Sequence, residues 1–268
     1  MWIPLRRIDP GQAERFGAKA CTLARLAARG LAVPASWVRP VGEGGAPLPD
    51  QARALLDQDP SIRRWILRSS SPWEDRPGAS AAGLFASLEA EATVEAVAEA
   101  LERVEASAQG AAVRRLLGEY APLAVLAQPL LDLELWCTVE IRAERVLLEG
   151  RRRRDETLRR EWPRPVDPAA EADPGLARLA AGIETLVRDE KPPLLAELGL
   201  SRGEMVVLQL RPAPAAAPDR SEPAEDPAPF PFFPGDEEES WVWDQAHCPT
   251  PLCPLLAGLF AAWITDQG

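Results

Sequence analysis

Apolar residues along this chain recur with two spacings, and the two alternate along its length. From Phe16 to Arg29 the spacing of Leu23, Leu26 and Ala27 predicts a helix, with Gly30 placed for a left-handed C-cap. A second helix is predicted from Thr93 to Ala106, where Val94, Val97, Leu101 and Val104 share one face and Thr93 is the cap. Asp173 and Pro174 have the cap and first-turn chemistry of a third, whose core face is Leu176, Leu179, Ala180, Ile183 and Val187. A shorter helix follows the loop after residue 42, with Asp50 as its cap and Leu55 and Leu56 facing inward.

Between these helices the pattern is extended. Trp2 to Ile8, Leu31 to Val38, Trp65 to Arg68 and Leu123 to Gln128 are short apolar runs, and Pro34 suits an edge or an irregular entry rather than a central strand. Glu134 to Ile141 alternates, with Leu135, Cys137, Val139 and Ile141 on one side and Glu134, Trp136, Thr138 and Glu140 on the other. Arg145 to Glu149 is expected to return beside it antiparallel. Met205 to Leu210 is expected to pair with Leu194 to Leu198 through a turn at Ser201 to Gly203. The fold class is therefore α/β (α+β).

Composition narrows the function classes. A chain of 268 residues can bury one large core or two smaller ones, and a net charge of −11 argues against a dedicated nucleic-acid binder. The basic run RRRRDETLRREWPR from Arg151 is read as solvated or locally paired, because Asp155, Glu156 and Glu161 are interspersed. No run of 18 apolar residues and no signal-peptide core occur, so no membrane partner and a cytoplasmic location are expected. Four cysteines do not make a disulfide scaffold. The 28 prolines are above average, and eight of them fall within residues 212–235. Three segments follow: a folded domain over 1–212, a Pro/Ala-rich and acidic linker over 213–240, and an apolar docking or partner-binding tail over 241–268. His247, Cys248 and Cys253 in the tail have no structural zinc spacing.

Candidate chemistry lies in three stretches. In RRWILRSSSPWEDRPGASAAGLFASL, a strand ends on Arg68, three serines follow, and a small-residue loop runs to Gly83. One cation with exposed backbone N–H groups suits a phosphate, but the stretch has neither a dinucleotide-binding nor a P-loop pattern, and composition alone favours an ordinary surface loop. Lys19 falls in the first turn of its helix, where a cation is unfavourable unless an anion is near. Glu197 and Gln209 meet across the last hairpin, and a carboxylate with an amide oxygen suits Mg²⁺ bridging phosphates, while Arg211 offers a guanidinium fork. A plain surface hairpin with polar edges is the competing reading.

Four blocks in order, GAKACTLARLAARGLAVPASWV, ILRSSSPWEDRPGASAAGLFASL, LAVLAQPLL and VVLQLRP, resemble the N-terminal nucleotide-binding domain of the phosphoenolpyruvate synthase and pyruvate phosphate dikinase family. The resemblance spans residues 17 to 212 in a shortened and partly degenerate form. It implies a two-lobed ATP-grasp-like nucleotide-binding domain with mixed or antiparallel sheets, binding ATP and Mg²⁺ as a phosphotransferase, or kinase, component. Lys19 matches the lysine of a glycine-glycine-lysine motif, and Arg68 matches the phosphate-contacting arginine before the serines. Ser80 to Gly83 match a serine, aromatic, alanine, glycine element, with Ala81 in the aromatic's place. Gln209 and Arg211 match the closing glutamine and arginine, and Glu197 matches a metal-binding glutamate whose usual acidic neighbour is replaced here by Leu195. Arg68 and Arg211 are thus the expected catalytic residues, Lys19, Arg68, Ser80, Gly83, Gln209 and Arg211 the nucleotide contacts, and Glu197 and Gln209 the metal ligands.

The family's central excursion between Gln128 and Glu197 is missing, and so is its phosphohistidine motif; His247 does not stand in for it. The resemblance therefore implies a component that needs separately encoded phosphohistidine and acceptor domains, the end at Gly268 fitting a split system or a small stand-alone protein. The other class consistent with these losses is an inactive relative that serves as a protein-binding or regulatory module.

Overall fold

The computed structural model describes residues 1–73, 86–110, 113, 122–152 and 156–213. All of these belong to one compact unit, Met1–Ala215.

Among the described residues, ten strands form two five-stranded sheets. The first has the order β1 (Ile3–Pro4), β2 (Trp37–Arg39), β5 (Ala124–Pro129), β3 (Arg64–Ser70), β4 (Ser87–Glu91). The second has the order β10 (Glu204–Pro212), β9 (Leu194–Ser201), β6 (Leu135–Ile141), β7 (Arg145–Arg152), β8 (Thr157–Pro163). Every neighbouring pair is antiparallel.

Each sheet is two-faced, as alternation requires. On β3, Trp65 and Leu67 are buried against α3 (Leu48–Leu56) and α4 (Val94–Ser107), in a core with Leu55, Val97, Leu101 and Val104. The opposite face of that sheet, through Val38, Ala124 and Leu126, packs on α1 (Ala13–Phe16) and α2 (Ala18–Ala28). In the second sheet Leu135, Cys137, Val139 and Ile141 face α5 (Pro174–Leu186), whose Leu176, Leu179, Ala180 and Ile183 are fully buried. Helix α2 serves both layers. Its Leu23 sits in the cluster on this opposite face of the first sheet and its Leu26 in the core of the second, and the Ala32 carbonyl beyond it accepts from the Val207 N–H of β10.

Caps and turns follow local chemistry. The Thr93 hydroxyl accepts from Ala96 N–H, and the Asp173 carboxylate accepts from Gly175 and Leu176 N–H. The hairpin from β9 to β10 turns through Arg202 (φ 52°) and Gly203 (φ 75°). The α3 expectation needs correction: Pro47 is the N-cap, and Asp50 lies inside the first turn, bonded to Arg53. The single helix expected from Phe16 is interrupted at Gly17, where φ is 77°. Strand β8 lies within the arginine-rich run. Its arginines pair locally, Arg159 with Glu149 at 3.4 Å and Arg160 with Glu171 at 3.7 Å, while Arg152 of β7 reaches Asp173 at 2.5 Å. Asp173 is consequently held below the usual carboxylate range, first by that hydrogen bond from Arg152 and then by the Leu176 N–H. Among the described residues no helix is long and apolar enough to cross a membrane.

Two predictions follow from this packing. A Cβ built on Gly17 lies 1.9 Å from the Ser70 carbonyl oxygen at a positive φ, so Gly17→Ala should lower unfolding stability by at least about 2 kcal/mol in a denaturant titration. Cys21 and Cys137 are buried free thiols, and burial raises their pKa to about 11 and about 12. An unfolded thiol ionises near 9.0. Their contribution to stability is thus complete below pH 9 and is lost as pH rises towards 12. Iodoacetamide labelling of the native chain at pH 8, mapped by mass spectrometry, should leave both residues unmodified.

Candidate functional site

The cleft face of the first sheet is set by register. Arg68 on β3 stands opposite Leu126 on β5 and Ser87 on β4, and Ile66 stands opposite Gln128 and Glu89. These residues lie on the face turned towards α2 rather than towards α3 and α4. On the second sheet, β6, β9 and β10 place Thr138, Glu197 and Gln209 in one row and Glu140, Leu195 and Arg211 in the next. Between Val207 and Gln209 the register of β10 shifts, leaving Leu208 without a ladder partner.

Arg68 joins the two faces. Its guanidinium donates to the freed Leu208 carbonyl at 3.1 Å and to Gln209 Oε1 at 2.5 Å, and Glu197 Oε2 lies 3.5 Å away. Arg68 is 8% exposed, and among the described residues its Nε has no hydrogen-bond partner. A cavity of about 410 Å³ opens beside it, lined among the described residues by Ile66, Arg68, Ser87, Glu89, Trp136 and Glu197, together with several aliphatic side chains. That volume falls in the range of small-molecule sites.

The sequence-predicted residues separate into three groups. Arg68, Glu197 and Gln209 are in direct contact. Arg211 is half-buried and lines a different pocket, with Ala18, Thr22 and Arg25 of α2 and Lys191. Lys19 lies half-buried on α2, in the turn tied to the end of β3. Ser80 and Gly83 lie outside the described residues, as do the linker, His247 and the apolar tail.

The serines after Arg68 have a local task. Ser70 Oγ accepts from the Ala20 N–H at 3.1 Å and donates to the Phe16 carbonyl at 3.0 Å, and the Ser71 carbonyl accepts from the Ala18 N–H. They satisfy donors at the N-terminus of α2 that would otherwise be orphaned or free for an anion. The expectation that this hydroxyl run is part of a phosphate cradle is therefore corrected for Ser70, whose bonds go to the protein.

The metal expectation can be tested against the donor set. No group of three or more His, Cys, Asp or Glu that could hold a metal occurs among the described residues. Glu197 and Gln209 turn their oxygens to a guanidinium instead. Glu197 keeps 35% of its side chain exposed, however, and its 3.5 Å contact is loose, so one carboxylate is available to a cation delivered with phosphates. Sequence reasoning missed one feature of this site, the bulge at Leu208.

No family model matches the sequence, and neither does any curated protein. Similar solved structures include D-alanine-D-alanine ligase from Helicobacter pylori (10% identity, TM-score 0.46, 75% of this chain and 55% of that one). L-amino acid ligase from Bacillus licheniformis is similar at 14% identity and TM-score 0.44, over 75% of this chain and 43% of that one. A RimK domain ATP-grasp protein from Sphaerobacter thermophilus has 18% identity and TM-score 0.39, over 72% and 57%. The chain spans about half the length of these proteins.

The fold is two-lobed and α/β (α+β), built on two antiparallel sheets, as expected. The family assignment within it is corrected. The similar structures given above are named as two ligases and a RimK domain ATP-grasp protein, not as members of the phosphoenolpyruvate synthase and pyruvate phosphate dikinase family. The phosphohistidine-dependent phosphotransfer, and with it the kinase and phosphotransferase descriptions, is withdrawn with that assignment. The physical reason lies in what the matching blocks do. ILRSSS is a strand followed by acceptors for the first N–H groups of α2, and VVLQLRP is the strand that receives Arg68; both serve the packing of two sheets.

The contacts of Arg68 generate a prediction independent of any ligand. Arg68→Met removes the donor to Leu208 and Gln209, and chemical denaturation should show a loss of about 1–3 kcal/mol.

Proposed function

We propose that residues 1–213 bind ATP together with Mg²⁺ in the cleft between the two sheets, as the nucleotide-binding part of a ligase-like ATP-grasp protein. The observation that carries this reading is Arg68, a guanidinium nine-tenths buried between two antiparallel sheets and lining a cavity of small-molecule size. A cation desolvated to that degree attracts a phosphate more strongly than a surface arginine does, because the local dielectric is lower. Its fork matches phosphate geometry.

Glu197 supplies the second element. When phosphates approach Arg68, the Glu197 carboxylate is repelled unless a cation joins it, and Mg²⁺ carried on the phosphates meets that need. Mg²⁺ when bound would neutralise phosphate charge; Arg68 would hold and orient the phosphates, and Glu197 and Gln209 would hold the ion's remaining side. Among the structural neighbours, those named as ligases indicate the class of ATP-consuming reaction to test.

Calorimetric titration checks the reading. The parent chain should bind Mg²⁺-ATP, and Arg68→Met, verified as folded by circular dichroism, should weaken it roughly 10- to 100-fold. Glu197→Gln should weaken binding in Mg²⁺ while leaving ATP binding in EDTA nearly unchanged. A parent chain that takes up no ATP would refute the proposal.

A further inference from the structure

The cavity beside Arg68 also holds an uncovered indole. Trp136 is 43% exposed, and among the described residues the other large hydrophobic side chain left exposed is that of Met1. A tryptophan buries more apolar area than most side chains, so leaving it open forgoes stabilisation that packing would supply. The fold keeps it open. Its ladder neighbour on β9 is Gly199, which has no side chain to cover the ring. A side chain cannot be added there without displacement, because a Cβ on Gly199 would lie 2.7 Å from Leu133 Cδ2. The neighbour on β7 is Arg151. Ile66, Pro129, Leu131 and Leu133 continue the apolar lining of the same cavity.

A ligand matching this cavity needs an anionic group for Arg68 and a flat apolar body for Trp136. We propose that Trp136 is the stacking platform for the purine ring of the nucleotide whose phosphates Arg68 holds. This rests on the nucleotide-binding reading above and extends it to a residue that sets ligand class. Stacking on an indole reads the ring face, not the donors and acceptors at its edge. The site therefore discriminates triphosphates that carry a base from polyphosphate that does not, and it does so through Trp136 rather than Arg68.

The test titrates Mg²⁺-ATP and Mg²⁺-tripolyphosphate into the full chain and its Trp136→Ala, Trp136→Phe and Arg68→Met variants. Trp136→Ala is expected to weaken ATP roughly 5- to 150-fold and to leave tripolyphosphate unchanged. Trp136→Phe should recover part of the ATP affinity, and Arg68→Met should weaken both ligands. Equal ATP affinity in Trp136→Ala and parent overturns the assignment while the nucleotide reading stands, and so does an equal loss of ATP and tripolyphosphate. If the parent binds neither ligand, the nucleotide reading fails and this inference with it.

Discussion

Two antiparallel sheets with separate cores meet at one buried guanidinium. Arg68 projects from the first sheet and donates to a main-chain carbonyl and a side-chain amide of the second, with the Glu197 carboxylate beside them. A buried cation is costly unless its donors are used. Here the surrounding backbone is arranged to use them: a bulge in β10 releases the Leu208 carbonyl from its ladder, and the β9–β10 register places Glu197 opposite Gln209. The same arrangement leaves Arg68 Nε unpartnered among the described residues and a cavity alongside. The interaction that joins the sheets and the one proposed to receive phosphate therefore use the same side chain, which couples ligand binding to the contact between the lobes.

Helix α2 is the second constraint. Gly17 admits the strand end at Ser70 so closely that any side chain would collide with it. Ser70 and Ser71 then satisfy the first N–H groups of the helix. From that fixed start the helix sends Leu23 into one core and Leu26 into another. The position of the first sheet's cleft face relative to β10 is thus set at both ends of α2, by the serines at its start and by the Ala32–Val207 hydrogen bond just past its end.

Much of the fold was legible because its signals are local. Alternation in β6, the caps Thr93 and Asp173, and the turn at Arg202 and Gly203 each follow from a few adjacent residues. The hairpin itself was readable for the same reason, but its own register would set Glu197 opposite Leu208; the bulge there, which has no local signal, is what brings Gln209 opposite Glu197. Strand β8 was not readable, because arginines that pair across a ladder look like a solvated run in one dimension. Nor was the contact of Arg68 with Leu208, which depends on a bulge and on chain more than a hundred residues away. The resemblance of short blocks gave the fold correctly and the family within it incorrectly. Strand and cap residues are demanded by two packed sheets whatever reaction they serve, so they carry fold and not chemistry. Trp136 was visible as a member of one face of β6, but its exposure depends on Gly199 and on the opposite sheet.

The most direct measurement is a crystal structure of the chain with Mg²⁺ and a non-hydrolysable ATP analogue. The account predicts density between the two sheets, with a phosphate oxygen within hydrogen-bond distance of the Arg68 guanidinium, Glu197 turned from Arg68 towards the ion, and the purine over the Trp136 ring. An analogue bound elsewhere, with Arg68 still bonded to Leu208 and Gln209 and in no contact with phosphate, would contradict it.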